Sequence, residues 1–255
     1  MMQPLDLNNP DTRQALLIKR LEVGKTLVAR VIGEELGVSL DTIRRDFIAL
    51  EKQGVLKRVK GGAIPMNKSL SPVVVRLQEK TDWLVKAETV FQDLLVGQPS
   101  LFLDGGTSVL FFARQLPIGY GGLVITPSPL VATILLEKRI KTVLVGGILR
   151  PLGGIATGAE AIRTLSKSLA DIAILGTCGL DPDFGLSADD VEEAAVKQVM
   201  AENANRVVVL APGDKLGCRS AHQVVPCSDI DVLITSGLPN ATAGFTAFET
   251  EILHV

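Results

Sequence analysis

The chain has 255 residues, a net charge of −2, 47% hydrophobic residues and 21% charged ones, which excludes a disordered chain and fits one small domain joined to a medium one. No apolar run reaches the roughly 18 residues a membrane-spanning helix needs, and no basic-then-apolar leader opens the chain, so a cytoplasmic protein is expected. Charge is uneven: residues 1–66 hold eleven Lys/Arg against eight Asp/Glu, a net +3, leaving −5 for the rest, and a basic head on an acidic body points towards nucleic acid.

Three helical patterns precede residue 55. The first runs from about Asp11 to Val23 and the second from about Leu27 to Leu36, with a break at Gly37-Val38. Ser39 caps the third, SLDTIRRDFIALEKQG, and Asp41 sits in its first turn, where the helix dipole favours an acid. Gly54 ends it. Leu40, Ile43, Phe47 and Leu50 form its core stripe, and Arg45 projects almost opposite, flanked by Asp41, Thr42, Ala49 and Lys52, with Arg44 at the border. One anchored face and one face offering Arg and Thr is what a recognition helix needs. The segment VLKRVKGG follows, with strand-forming Val55, Leu56 and Val59 and a turn at Gly61-Gly62. Its Lys57, Arg58 and Lys60 have no acid beside them between Val55 and Pro65, so the hairpin suits phosphate contacts.

The string LDTIRRDFIALEKQGVLKRVKGGA resembles the DNA-binding signature of the DeoR family of bacterial sugar-metabolism regulators. The resemblance implies a winged helix-turn-helix over residues 1–65, with Thr42, Arg44 and Arg45 at the DNA and a wing at Lys57–Lys60. With Ser39, Lys52 and Arg58, these make up the expected DNA-binding residues.

Polar, proline-bounded PMNKSLSP places a linker at residues 66–78, ahead of a second domain over 79–255. A long helical stretch is expected from about Lys80 to Val96, with Leu84, Ala87, Val90, Phe91 and Leu94 at helical spacing. Short apolar runs then alternate with helical ones. LFLD, LVIT, TVLVGG, IAIL, VVVL and VLIT read as strands, and residues 107–116, 130–138, 158–169 and 189–204 read as helices. With aromatics at only 4%, Val, Leu, Ile and Ala build the core, and the rhythm predicts an α/β fold with a mostly parallel sheet.

In such sheets ligands bind at strand carboxyl ends near a topological switch point. Asp104-Gly105-Gly106-Thr107-Ser108 follows the first strand and opens a helix, the arrangement of a phosphate cradle. Thr126-Pro127-Ser128, Gly146-Gly147 with Arg150, Gly176-Thr177, and Lys215 stand at the ends of later strands. The three cysteines have no metal-ligand spacing and read as reduced thiols, His222 and His254 form no cluster, and no metal or cofactor is expected.

The DeoR resemblance extends through FLDGGTS, VLVGGILR, LGTCGLD and EEAAVKQVMAENANRVVVLAPGDKLG. It implies a domain related to ribose-5-phosphate isomerase and CoA transferase, a sugar-phosphate effector, and Glu193 and Lys215 where the isomerase has a base and a substrate-binding lysine. Expected effector contacts are thus Asp104, Gly105, Gly106, Thr107, Ser108, Thr126, Ser128, Gly147, Arg150, Gly176, Glu193 and Lys215. Two positions depart from the family pattern: Pro212 stands where an Asp is usual, and Pro127 where an Asn is common. The expected function is a repressor of a carbohydrate operon that binds operator DNA as a homo-oligomer. The alternative is an isomerase-like enzyme with an accessory DNA-binding domain, but of the isomerase's acidic cluster only Asp181 remains in GTCGLD, which favours binding without turnover.

Overall fold

The computed structural model describes residues 9–22, 27–52, 55–65, 73–77 and 82–255, apart from a few side chains among them. Contacts divide the chain into two units, Met1–Leu70 and Ser71–Val255.

The first unit holds α1 (Pro10–Glu22), β1 (Leu27–Val28), α2 (Ala29–Leu36), α3 (Leu40–Lys52), β2 (Leu56–Val59) and β3 (Gly62–Pro65). The strands form an antiparallel sheet in the order β1-β3-β2. Leu17, Leu21, Ile32, Ile43, Phe47 and Leu50 are buried together and clamp the three helices over it. Two expectations need correction. Leu27 does not open a helix: it pairs with Ala63 in a strand, and α2 begins at Ala29. The pairing depends on Gly62, where an added Cβ would fall 2.0 Å from the Leu27 carbonyl oxygen. Leu40 does not join the core stripe. It is the first residue of α3 and 38% exposed, because the stripe gains core neighbours only from Ile43 onward. Val23, Gln53 and Gly54, the expected helix ends, lie outside the described residues.

In the second unit α4 (Val73–Arg76), α5 (Asp82–Val85) and α6 (Glu88–Leu94) precede the sheet. The expected continuous helix from Lys80 is instead broken at Lys86-Ala87, whose N–H groups bond back three residues to Trp83 and Leu84. Leu84, Ala87, Phe91 and Leu94 still share one buried face. Val73–Arg76, expected within the linker, forms a helical turn bonded to residues 151 and 152; the rest of that linker, apart from Leu77, lies outside the described residues.

Then follow β4 (Leu101–Leu103), α7 (Thr107–Gln115), β5 (Val124–Thr126), α8 (Pro129–Glu137), β6 (Thr142–Leu144), β7 (Ile148–Arg150), β8 (Ile155–Thr157), α9 (Ala159–Leu165) and β9 (Ala170–Gly176). The chain continues through β10 (Gly179–Asp181), β11 (Gly185–Ala188), α10 (Val191–Glu202), β12 (Ala204–Ala211), β13 (His222–Val225), β14 (Val232–Thr235), α11 (Pro239–Thr242) and β15 (Glu251–His254). Seven strands form a wholly parallel sheet in the order β15-β14-β12-β9-β4-β5-β6. Alternate residues feed two cores: Ile172, Ile174, Val208 and Leu210 on one face, Ala173, Leu175, Val207 and Val209 on the other. This two-sided burial explains why the strands read as continuous apolar runs. The order reverses between β4 and β9. From β4 the chain winds outward through β5 and β6, and from β9 it winds the other way. Antiparallel pieces absent from the expected rhythm, the β7–β8 hairpin and the β10-β11-β13 sheet, are added around this frame.

Candidate functional site

The exposed face of α3 is built by its anchored one. Arg13 of α1 grips Asp46 of α3 inside the head, Nε to Oδ2 at 2.8 Å and Nη2 to Oδ1 at 3.2 Å. With Ile43, Phe47 and Leu50 also buried, Asp41, Arg44, Arg45, Ile48 and Lys52 face solvent. The N-terminus of α3 is capped as expected, since the Thr42 N–H donates to Ser39 Oγ at 3.1 Å. The two hydroxyls also bond to each other at 2.8 Å. Arg45 Nη2 lies 2.7 Å from Asp41 Oδ2, one turn back along the same exposed face.

The hairpin expected as a wing is β2–β3, turning at Lys60-Gly61. Its cations are less free than the hairpin sequence suggests. Glu51 of α3 takes both the Arg58 backbone N–H at 2.9 Å and its Nε at 2.6 Å, so Arg58 ties the wing to α3. Lys60 is exposed at the turn, while the side chain of Lys57 lies outside those described. Arg44, Lys52 and Lys60 make no ion pair among the described residues.

In the second unit the reversal point gathers several of the expected residues. Asp104, at the end of β4, is buried, and its Oδ2 accepts the Gly176 N–H at the end of β9 at 3.0 Å. The same oxygen holds the ammonium of Lys197, and that ammonium also donates to the Gly176 carbonyl at 2.9 Å. Burial, the largest single influence, would depress the Lys197 pKa, but the charge and hydrogen bond of Asp104 together with Cys178 and Glu193 hold the lysine above its ordinary value. Glu193, one turn earlier on α10, is also buried, and desolvation raises its pKa, with Asp104 adding to the rise and Lys197 opposing it. Three buried oxygens here, Asp104 Oδ1, Thr177 Oγ1 and Glu193 Oε1, have no hydrogen bond of good geometry among the described residues, although the Gly153 N–H beside the Glu193 carboxylate eases its charge. Buried polar atoms are almost always satisfied, so such a concentration marks a place for a ligand or water. Gly105 and Gly106 lead into α7, whose first residues Thr107 and Ser108 are half-buried.

Other expected contacts are occupied within the fold. Ser128 caps α8 by accepting the Val131 N–H at 3.4 Å, and Thr126 Oγ1 accepts the Ser128 N–H at 3.1 Å. Gly147 serves close packing, since a Cβ there would fall 2.4 Å from the Thr157 carbonyl oxygen. Arg150, expected as an anion partner, is instead neutralised by Glu192, with Nε at 3.1 Å from Oε2, and Thr157 Oγ1 donates to the same oxygen at 2.9 Å. Lys215 lies in a short turn after β12, its backbone N–H bonded to the Pro212 carbonyl. The lysine that reaches Asp104 is therefore Lys197. The signal for it was present in EEAAVKQVM, where a charge spaced four residues from Glu193 shares a face with Ala194, Ala201 and Met200. Asp181, kept from the isomerase-like cluster, is paired with Arg219. Burial opposes its ionisation, yet Arg219 and the N–H groups of Asp183 and Phe184 hold its pKa below the usual value.

A family model of the DeoR C terminal sensor domain matches residues 90–237, and one of the DeoR-like helix-turn-helix domain matches residues 13–69. The chain belongs to the DeoR family. It is 34% identical over 213 residues to the HTH-type transcriptional regulator GlpR of Haloferax volcanii, covering 82% of this chain and 83% of that one. It is 33% identical over 208 residues to the HTH-type transcriptional repressor GlcR of Bacillus subtilis, covering 80% of each. The glycerol-3-phosphate regulon repressor of Escherichia coli K12 is 28% identical over 209 residues, 81% of this chain and 82% of that one. This DeoR-family chain is a DNA-binding transcriptional regulator, and the enzyme alternative is not favoured by its relatives. Ribose 5-phosphate isomerase A of Methanocaldococcus jannaschii is 17% identical, covering 52% of this chain and 54% of that one with a TM-score of 0.36, too low to carry weight. Among the described residues no helix is long and apolar enough to cross a membrane, and no group of three His, Cys, Asp or Glu side chains could hold a metal ion.

Proposed function

We propose that the chain is an operator-binding repressor whose affinity for DNA is set by a phosphorylated sugar held where β4 and β9 end. The observation that carries the sensor half is the trio of unpartnered buried oxygens on Asp104, Thr177 and Glu193. Sugar hydroxyls donate to such acceptors, which a phosphate cannot do once ionised. The phosphate belongs instead at Thr107 and Ser108, where two hydroxyls and the first N–H groups of the nine-residue α7 face it. Gly105, Gly106 and Gly176 supply the close backbone, and Lys197 cancels the Asp104 charge that would otherwise repel the ligand. Thr126, Ser128, Gly147 and Arg150 shape the surrounding turns. Glycerol-3-phosphate in the name of the Escherichia coli relative agrees with a small phosphorylated polyol as the effector class.

In the head, Arg44, Arg45 and Lys52, with Thr42 and Ser39 at the helix start, are assigned to the operator, and Lys57, Arg58 and Lys60 to flanking phosphates. Paired heads match a palindromic operator, so the working form is a homo-oligomer in the cytoplasm. The domain assignment follows: residues 1–65 read DNA, 66–78 connect, and 79–255 sense and assemble. Fluorescence anisotropy with DNA upstream of the chain's own operon, with and without a panel of sugar phosphates, tests the reading. It expects nanomolar-range binding that at least one phosphate alters. Tight binding that no phosphate changes would remove the sensor half.

A further inference from the structure

The turn between β7 and β8 has the strand-end site on one flank and α4 on the other. On the site flank, a Cβ added at Gly153 would fall 2.2 Å from Glu193 Oε1, and one added at Gly105 would fall 2.9 Å from the Gly153 carbonyl oxygen and 2.4 Å from Ile155 Cγ2. The turn therefore packs directly on two of the residues assigned to the effector. On the other flank, the Val73 N–H donates to the Pro151 carbonyl at 3.2 Å, and Arg76 Nη2 donates to the Leu152 carbonyl at 2.9 Å. Val73 Cγ1 fills the space a Cβ on Gly154 would need, at 2.5 Å, and Val73 is buried. Four consecutive residues thus touch both the site and the first described element that follows the head in the chain.

We propose that the Pro151–Gly154 turn transmits effector occupancy to α4, with Arg76 and Val73 as the positioning residues that couple them. The inference rests on the effector-site reading above. A ligand that engages Glu193 and Gly105 meets a turn already in close contact with both, and packed elements shift between discrete arrangements rather than deform freely. The turn is bonded to α4 through main-chain carbonyls at two successive residues, so its displacement moves α4. α4 is the element through which the chain runs on from the head, so its displacement is the signal passed to the DNA-binding unit. A ligand drives this only by binding the two arrangements unequally, which the direct contact at Glu193 provides.

The test uses the full chain and three probes: glycerol 3-phosphate, fructose 6-phosphate and glucose 6-phosphate. Calorimetry gives the affinity for each probe, and anisotropy gives the affinity for operon DNA with and without the probe that binds. Coupling between sites commonly amounts to about 5- to 150-fold in affinity. In Arg76→Ala the probe affinity stays within about twofold of wild type while its effect on DNA binding falls below about threefold. Arg76→Lys, which keeps a donor able to reach a carbonyl, retains part of the coupling. Independently, amide exchange over Val73–Leu77 changes when the probe binds the wild-type chain. Full coupling in Arg76→Ala, or exchange over Val73–Leu77 indifferent to bound probe, overturns the transmission role and leaves the effector site standing. A wild-type chain that binds none of the three overturns the effector site, and the transmission role with it.

Discussion

Arg13 and Asp46 meet through two hydrogen bonds in the interior of the head, and that contact fixes α3 against α1. Gln14 Nε2 adds a third bond to Asp46 Oδ1 at 3.3 Å. Removing one partner of a buried pair leaves the other charged and unsolvated, a loss of about 3–5 kcal/mol. Asp46→Ala is therefore expected to unfold the head in much lower denaturant than wild type and to lose DNA binding with it. A midpoint for the head's transition unchanged in urea would show that the pair does not hold α3.

Arg45 presents the opposite case. Its partner Asp41 is exposed and one turn away, and such pairs contribute only about 0.3–0.5 kcal/mol. Arg45→Ala should leave thermal unfolding nearly unchanged, while operator affinity falls by about 1–3 kcal/mol if the side chain reads a base. Equal operator affinity at matched salt would move the reading face elsewhere. Asp41→Ala, which frees the guanidinium, is expected to tighten DNA binding slightly.

The Lys197–Asp104 pair allows a double-mutant cycle. Lys197→Met strands a buried carboxylate and is expected to destabilise the second unit by about 3–5 kcal/mol. Adding Asp104→Asn should recover much of that loss, because no charge is then left unpaired. Additive losses in denaturant unfolding would mean that the two side chains act separately.

Glu193 gives the second unit a pH dependence. Burial raises its folded-state pKa above the ordinary 4.5, so the folded chain keeps the proton to higher pH than the unfolded chain does. The stability this supplies is complete below pH 4.5 and is lost as pH rises through the raised folded value. Glu193→Gln should flatten that part of the stability profile and be relatively more stable at neutral pH. Parallel profiles for the two proteins from pH 4 to 8, measured by chemical denaturation, would contradict the raised value.

Thr107→Ala separates the ligand from the fold, since its hydroxyl has no partner among the described residues. It is expected to weaken sugar-phosphate binding by about 1.5–3 kcal/mol, the worth of one hydrogen bond to a charged group, with DNA affinity of the free protein unchanged. Titration calorimetry of a sugar phosphate against both proteins decides it, and identical isotherms would remove Thr107 from the phosphate site.

The features that were legible before the fold was known are those set by local periodicity. The α3 stripe of Ile43, Phe47 and Leu50, the Ser39 cap and the parallel strands announce themselves through spacing and apolar runs. Contacts between distant elements do not. Glu51 is the acid that Arg58 lacks in its own hairpin, and no local pattern joins them. TVLVGG reads as a strand stopped by its glycines, and β6 does end before them, but nothing local announces that Ile148–Arg150 beyond them forms the hairpin strand β7. Lys197 hides because a lysine on a helix is ordinarily solvated, and its burial becomes tolerable through Asp104, 93 residues away in the chain, and the Gly176 carbonyl.

The two faces of α3 divide the labour within a single helix. Ile43, Asp46, Phe47 and Leu50 bind it to the scaffold, while residues 41, 42, 44, 45, 48 and 52 are free of that duty. On the proposed assignment of that outer face to the operator, promoter preference can drift by exchange of outward side chains with little penalty in folding. One architecture of this kind can be retargeted to many promoters, and swapping those six positions between relatives should transplant promoter choice while the sensor stays as it is.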